Sequence, residues 1–350
     1  MQEFKPVLCS KCFKNEGLKL DAKKIGKENN DKCPNCGLND GAKLDQELTA
    51  RLAHRFFVRG SFNKTNFGGA PVIQFNQRQE TSIDVSNSLQ KDIHLFENTI
   101  DVGFFYYGPR LWMVGEVEPL KSLQKPSERE SIIQRILEEY PNHKFTKGSN
   151  FYRLRKNPNS PNEIEQYDSP PEDTEGNGRL DSNELKIMYG SQDLEICIHE
   201  CRVTVEDEIF FATLAASRDL KLLNLTEVIH EDTTEFQSLD LAIHMLFLAE
   251  EHSYEITREI AISAHKAGYD GIIYPSYYSL LRTGSIPFDT IYGISIRKIP
   301  DLEEHAKSQI IPNIALFGRP IEEGNVNVEC INKAILNQVN YDLQFGPAKY

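Results

Sequence analysis

Apolar residues recur with a period near 3.6 along Leu44-Asp-Gln-Glu-Leu-Thr-Ala-Arg-Leu-Ala-His-Arg-Phe-Phe-Val58, which predicts a helix over 44–60. Gly60, Gly68 and Gly69 then mark loops. Further helices are predicted over Ser86–Phe96 and over Ser127–Tyr140, the latter with Ile132, Ile133, Ile136 and Leu137 as its buried stripe. Phe104–Tyr107 and Leu111–Val114 read as short strands around a turn at Gly108-Pro109. A boundary falls at Lys147-Gly-Ser-Asn150, followed by the strand-like Phe151-Tyr-Arg-Leu154. Residues 157–178 read as a loop with four prolines that is too acidic to pack, carrying Glu163, Glu165, Asp168, Glu172, Asp173 and Glu175. From Gly178 to about Phe317 short apolar strands alternate with helices, among them Tyr254–Ala267, closed by Gly268. A last helix is predicted around Ile331–Val339, before a polar tail.

The 350 residues are 39% hydrophobic and 10% aromatic, enough for packed cores, and the length predicts two domains, or three with a separate metal-binding part. A net charge of -13, from 52 acids against 39 bases, repels phosphate backbones and argues against general nucleic-acid binding. No basic start precedes an apolar run, so no secretory signal is expected. The richest apolar stretch, Leu241–Ala249, is too short to span a bilayer. A soluble, cytoplasmic protein without membrane contact is expected.

The seven cysteines sharpen this. Cys9-Ser-Lys-Cys12 and Cys33-Pro-Asn-Cys36-Gly37 are two C-x2-C pairs, whereas Cys197, Cys201 and Cys330 are scattered. A two-residue gap lets both thiolates of a turn reach one ion, and two such turns complete a tetrahedron around Zn²⁺. Four thiolates leave no open position, so this zinc is expected to be structural. Lysines outnumber acids in residues 1–36, but four thiolates on one Zn²⁺ nearly cancel that excess, and no aromatic ladder accompanies them. A structural or partner-binding knuckle fits better than a nucleic-acid binder.

Between 45 and 148 no constellation suggests chemistry. Beyond it, Arg179 follows two glycines in Gly176-Asn-Gly-Arg-Leu180, where a guanidinium and backbone can approach a phosphate. Tyr189 ends a short strand, Lys186-Ile-Met-Tyr-Gly190. Ser191 suits the N-cap of the helix that follows, Leu194-Glu-Ile-Cys-Ile-His-Glu-Cys201. On that helix Glu200 shares or borders a face with Ile196, Cys197 and Cys201, so a carboxylate is expected among apolar neighbours. Each residue alone also fits an ordinary structural role; the three together are more specific.

Arg179, Tyr189 and Glu200, with Ser276 in Ala267-Gly-Tyr-Asp-Gly-Ile-Ile-Tyr-Pro-Ser276, resemble the RES domain family in order and spacing. The likeness runs from Phe151-Tyr-Arg-Leu154 to Asn313-Ile-Ala-Leu-Phe-Gly318. The first 148 residues resemble, more loosely, a leader domain found on a subset of RES proteins. The resemblance implies an α+β fold with an ADP-ribosyltransferase-like mixed-sheet core in the C-terminal half, preceded by a zinc knuckle and a mainly helical domain. It implies segments 1–42 (knuckle), 43–148 (accessory or regulatory), 149–320 (catalytic) and 321–350 (extension). It also implies an activity that degrades NAD⁺, often as a toxin restrained by an antitoxin. Arg179 would hold the pyrophosphate, Tyr189 stack on a ring, Glu200 act at the ribose, and Ser276 position the nicotinamide side. Arg153 matches the family's early arginine and would be a second anion contact. Leu180 stands where many members carry Trp, and the 157–178 loop resembles an insertion able to cover the site. Cleavage of the nicotinamide–ribose bond passes through a cation-like sugar, which a carboxylate stabilises as it forms. The alternatives are transfer of ADP-ribose to a macromolecule, and a zinc-knuckle adaptor that binds a nucleotide without turnover.

Overall fold

The structure, a computed structural model, describes residues 4–65, 68–106, 117–171, 174–249, 251–283, 290–291, 294–341 and 343–348. Tyr107, the expected turn at Gly108-Pro109 and the expected strand Leu111–Val114 lie outside them, as do Glu172 and Asp173. The described chain forms two units. Of the described residues, those up to Thr65, from Gly69 to Tyr106 and from Asn340 onward make the first, and Gly68 with residues 117 to Val339 makes the second.

In the first unit β1 (Leu8–Cys9) leads into α1 (Glu16–Ile25), and β2 (Lys43–Leu44) pairs antiparallel with β1. Asp45 caps α2 (Gln46–Ala53) by accepting from the Leu48 N–H at 2.8 Å. This helix continues through a π turn (His54–Val58) and a 3-10 turn (Arg59–Ser61), so the expected 44–60 helix is present except at its start, where Leu44 pairs as strand. β3 (Phe62–Thr65), β4 (Gly68–Pro71) and β5 (Ile73–Asn76) follow, then α3 (Asn87–Ile100) and β6 (Gly103–Tyr106). Gly68 and Gly69 thus lie in a strand that pairs with β3, not in a loop.

Phe13, Phe56, Phe57, Phe96 and Phe104 are fully buried together, with Phe57 and Phe104 ring centroids 4.2 Å apart. Phe13 directly follows Cys12, so the cysteine turn is anchored in this core. Asp92 on α3, itself buried, accepts from the N–H groups of Lys14 (2.7 Å) and Asn15 (2.6 Å) at the start of α1. Burial raises its carboxyl pKa while those two N–H bonds oppose the rise.

The second unit opens with α4 (Glu118–Gln124) and α5 (Pro126–Glu139), the latter in register with the expected Ser127–Tyr140 helix. β7 (Asn142–Phe145), β8 (Asn150–Lys156), β9 (Ile187–Ser191), α6 (Leu194–Glu200), β10 (Ile209–Ala216) and β11 (Leu220–Asn224) come next. Then follow α7 (Leu239–Leu248), α8 (Tyr254–Lys266), β12 (Gly271–Pro275), α9 (Ser279–Thr283) and the two-residue strands β13 (Thr290–Ile291) and β14 (Ile294–Ser295). α10 (Glu303–Ser308), β15 (Pro312–Phe317) and β16 (Val326–Ala334) complete the unit. Gly268 ends the α8 region with a left-handed φ of +81°, a conformation that glycine adopts without a Cβ clash.

Eight strands form one mixed sheet in the order β16-β10-β8-β9-β15-β12-β11-β7. Only β11 and β12 are parallel, and α7 and α8 make the connection between them, as a parallel pair requires. The sheet alternates its faces with period two. Ile187, Leu223, Ile272, Ala315 and Phe317 pack against α4, α5, α7 and α8, whereas Met188, Leu222, Ile273, Ile314 and Leu316 join Phe145, Phe151, Leu214 and Val326 on the other side.

Two further expectations fail in the second unit. Of the predicted helix around Ile331–Val339, residues 331–334 are the end of edge strand β16, which pairs with β10 through Ala334, and 335–339 have no regular structure. Only Val326 of this strand is buried and the rest is half-buried or exposed, so pairing with β10, not an apolar face, makes it a strand. The 157–178 loop is also less detached than its charge suggests. Tyr167 is fully buried, and Asp168 is buried while accepting from the N–H groups of Ser169 (2.8 Å) and Glu322 (2.9 Å). Backbone donors satisfy that carboxylate, so its charge does not keep it in water.

His244 on α7 is buried, with Nε2 lacking a hydrogen-bond partner among the described residues. Burial, helped by the nearby Arg297, lowers its pKa from 6.5 to about 4. The unfolded chain therefore takes up a proton below about pH 6.5 that the folded chain refuses until about pH 4, so stability falls as pH drops through that window. Lowering the pH from 6.5 to 5 should cost roughly 2 kcal/mol at this position. Denaturant melts should show this slope in the wild type and a flatter one in His244→Leu; equal slopes would rule the assignment out.

Candidate active site and metal centre

Three neighbouring strands assemble the site. Period-two alternation puts Tyr189 of β9, Asn313 of β15 and Tyr274 of β12 on the same face of the sheet, with Tyr274 opposite Asn313 and Tyr189 opposite Ala315. Tyr189 lies in the middle of its strand rather than at its end. Ser276, just beyond β12, continues the alternation of Ile272 and Tyr274.

α6 carries the carboxylate. Its N-cap is Asp193, whose Oδ1 accepts from the Ile196 N–H at 2.9 Å, and not the expected Ser191. Ser191 is the last residue of β9, buried, with its hydroxyl donating to the Pro312 carbonyl at 2.9 Å. Ile196 and Cys197 are the buried residues of α6, while Glu200, at its last position, is exposed. The carboxylate is therefore not set among apolar neighbours, although residue 200 lies one turn after Ile196 on the same side of the helix. Glu200 is held by polar groups instead. The Ser276 hydroxyl donates to its Oε1 at 2.7 Å, and Asn313 Nδ2 donates to the same oxygen at 2.6 Å. Oε2 has no hydrogen-bond partner among the described residues. Ser276 is fully buried, so its hydroxyl acts on Glu200 rather than on a ligand.

Tyr274 feels the charges of both this carboxylate and Arg179. Burial first, and the Glu200 charge second, push its hydroxyl pKa well above 10, so it stays a proton donor at neutral pH. Its ring packs on Phe247 with centroids 5.2 Å apart, and the Arg179 guanidinium lies 5.9 Å from Phe247 and 4.8 Å from Tyr254. Arg179 Nη2 donates to the Ala249 carbonyl at 2.8 Å, and Nη1 to that of Leu246 at 3.4 Å. It thus caps the C-terminal end of α7, where unpaired carbonyls attract a cation.

The Tyr189 hydroxyl ties down the loop that bears Arg179. It accepts from the N–H groups of Leu180 (2.8 Å) and Asp181 (3.1 Å) and donates to Asp181 Oδ1 at 2.7 Å. Burial raises its pKa well above 10. This loop passes so close that a Cβ on Gly178 would lie 2.0 Å from Asp181 Oδ1, which is why glycine precedes Arg179.

Arg153 stands apart from these groups. It is 5% exposed, with Nη1 donating to the Tyr189 carbonyl (2.6 Å) and Nη2 to that of Asp168 (3.0 Å), so it braces the backbone and is closed to a ligand in this structure. Burial draws its pKa down to about 9, which leaves it charged at neutral pH. The structure thus brings Glu200 and Ser276 into contact, sets Tyr274 and Arg179 each against Phe247, and leaves Arg153 outside. Asn313 and Tyr274 went unassigned in the sequence. Tyr274 lies two residues before Ser276, so strand alternation alone would have placed both on one face.

The other chemistry lies in the first unit. Cys9, Cys12, Cys33 and Cys36 place all four sulfurs within 4.8 Å of one another, with Cys9–Cys36 and Cys12–Cys33 at 3.5 Å. Four ligands at about 2.3 Å from a central zinc stand about 3.8 Å apart, so the cluster fits a metal ion. The fully buried Lys43 shapes the turn after it, its Nζ donating to the carbonyls of Asn39 (2.7 Å) and Gly41 (3.0 Å).

Residues 150–282 match the family model for the RES domain, so the chain carries a RES domain. No curated protein matches the chain. Among solved structures it is similar to a chain of the M. tuberculosis MbcT–MbcA toxin–antitoxin complex, at 12% identity and a TM-score of 0.31, covering 58% of this chain and 91% of that one. Among the described residues, no helix is long and apolar enough to cross a membrane.

Protein purified without chelator should carry close to one metal ion per chain, as a closed four-sulfur set implies. Cys33→Ser should lose it and destabilise the first unit, because binding energy of this kind is folding energy. Metal analysis finding none in the wild type would refute the site.

Proposed function

We propose that the second unit cleaves the nicotinamide–ribose bond of NAD⁺, with Glu200 as the group that stabilises the reacting sugar. The observation that carries this reading is the asymmetry of the Glu200 carboxylate: Oε1 accepts from Ser276 and Asn313, while Oε2, on an exposed helix end, has no partner among the described residues. A carboxylate held in that way is preorganised, so little reorganisation is needed when positive charge develops beside it.

In this reading the C–N bond breaks and its electron pair leaves with nicotinamide, which departs neutral. The ribosyl cation faces Glu200 Oε2 until water adds to it and loses a proton, giving ADP-ribose. Tyr274, kept protonated, supports the carboxylate side of the site. Arg179 serves the diphosphate end, but in this structure its Nη atoms hold carbonyls at the end of α7. A diphosphate would have to compete with those bonds, so Arg179 contributes to folding as well as to binding. Growth inhibition by NAD⁺ loss, restraint by an antitoxin-like inhibitor protein and a cytoplasmic setting extend the same reading. The four-cysteine cluster would hold zinc, a structural ion that takes no part in the cleavage.

Purified protein should release nicotinamide from NAD⁺, and Glu200→Gln should lower kcat by roughly a hundredfold or more, the scale of losing one preorganised electrostatic group. KM should change little, because this interaction forms in the transition state. Arg179→Ala should raise KM and also lower Tm. Free ADP-ribose as coproduct supports hydrolysis, and label retained on a macromolecule would favour transfer. Near-normal turnover by a folded Glu200→Gln variant would overturn the assignment.

A further inference from the structure

The segment that follows β12 runs back along the whole of α6. At the C-terminal end of the helix Ser276 meets Glu200, and the Ser276 hydroxyl also accepts from the Tyr278 N–H at 3.1 Å. Beside that contact the Tyr278 ring stacks on His199, with centroids 5.7 Å apart and planes at 21°. At the N-terminal end Arg282 on α9 forks across two carboxylates, its Nη2 donating to Asp193 Oδ2 at 3.1 Å and its Nη1 to Glu195 Oε2 at 2.5 Å. The base of the segment is fixed to the sheet side, where Ser279 Oγ donates to the Ser276 carbonyl (2.8 Å) and accepts from the Ile311 N–H (3.0 Å). α6 is thus clasped at three points along its length of about 10 Å.

A helix of seven residues cannot hold its own shape in water, and Ile196 and Cys197 are its buried residues. The direction in which its last residue points therefore depends on what grips the helix from outside. Asp193 is both the N-cap of α6 and a partner of Arg282, so one side chain joins the start of the helix to the segment that holds its end. We propose that Arg282 is a positioning residue for Glu200, locking the post-β12 segment against α6 so that Ser276 meets Glu200 Oε1. A partly exposed ion pair adds little to global stability, so its effect falls on geometry. Small misplacements of a reacting group are costly in rate. The inference rests on the catalytic reading of Glu200.

The test compares full-length wild type, Arg282→Ala, Arg282→Lys, Ser276→Ala and the Arg282→Ala/Ser276→Ala double variant. Nicotinamide release and hydrogen exchange of the 194–201 amides without nucleotide are both measured. Arg282→Ala should lower kcat about tenfold with KM within about twofold, the pattern of a misaligned group rather than lost binding. Arg282→Lys should recover part of that loss, and exchange along α6 should quicken in Arg282→Ala. In the Ser276→Ala background the Arg282→Ala change should cost little more, because both act through one contact. Unchanged kcat in a folded Arg282→Ala variant, additive losses in the double variant, or unchanged exchange would each overturn the proposal. If wild type releases no nicotinamide, the NAD⁺ reading fails separately, and the exchange experiment alone then decides whether Arg282 clasps α6.

Discussion

Two hydrogen bonds to one oxygen, from Ser276 and Asn313 to Glu200 Oε1, join three stretches of chain that lie 76 and 113 residues apart from the carboxylate. Everything else in the second unit can be read as what makes that junction stable. β12 and β15 pair side by side, so Tyr274, Ser276 and Asn313 arrive together at one end of the sheet. The helices α4, α5, α7 and α8 cover the same face and shield its interior, leaving α6 short and its last residue in water. A carboxylate with one oxygen in protein hydrogen bonds and the other open is fixed in direction yet able to meet a charged ligand.

Arg179 shows how a residue of expected chemistry also carries fold. Its guanidinium closes the end of α7, lies over Tyr254, and sits on a loop held by the Tyr189 hydroxyl. Arg153 is the contrasting case: buried and matched by backbone carbonyls, it holds β8 to β9 and to the 157–178 segment.

In the first unit the cysteine cluster and the aromatic core depend on one another. Cys12 is followed by Phe13 in the core, and Asp92 reaches from α3 to the two N–H groups that begin the next turn. The cluster is thereby one corner of a packed unit that also contains α2 and α3. The fully buried Lys43 belongs to the same arrangement, with carbonyl oxygens in place of water around its ammonium.

What the sequence determined by itself was whatever depends on near neighbours. Cysteine spacing defined the four-cysteine cluster, 3.6-residue periodicity located α2, α3 and α5, and Gly268 marked the end of α8, because turns and helix faces are set within a few residues. The order and spacing of Arg179, Tyr189, Glu200 and Ser276 pointed to the RES domain that residues 150–282 carry. The tertiary structure decided what those residues touch. A mixed polar and apolar stretch such as 326–334 becomes a strand because β10 offers it a hydrogen-bonding edge, and Asp168 can be buried because backbone donors, one of them distant in sequence, reach it. Glu200 is polar-held rather than apolar-buried because Asn313, more than a hundred residues away, lies beside it. No local pattern encodes such a meeting: strand order in the sheet creates it, and strand order is fixed only when the whole core packs.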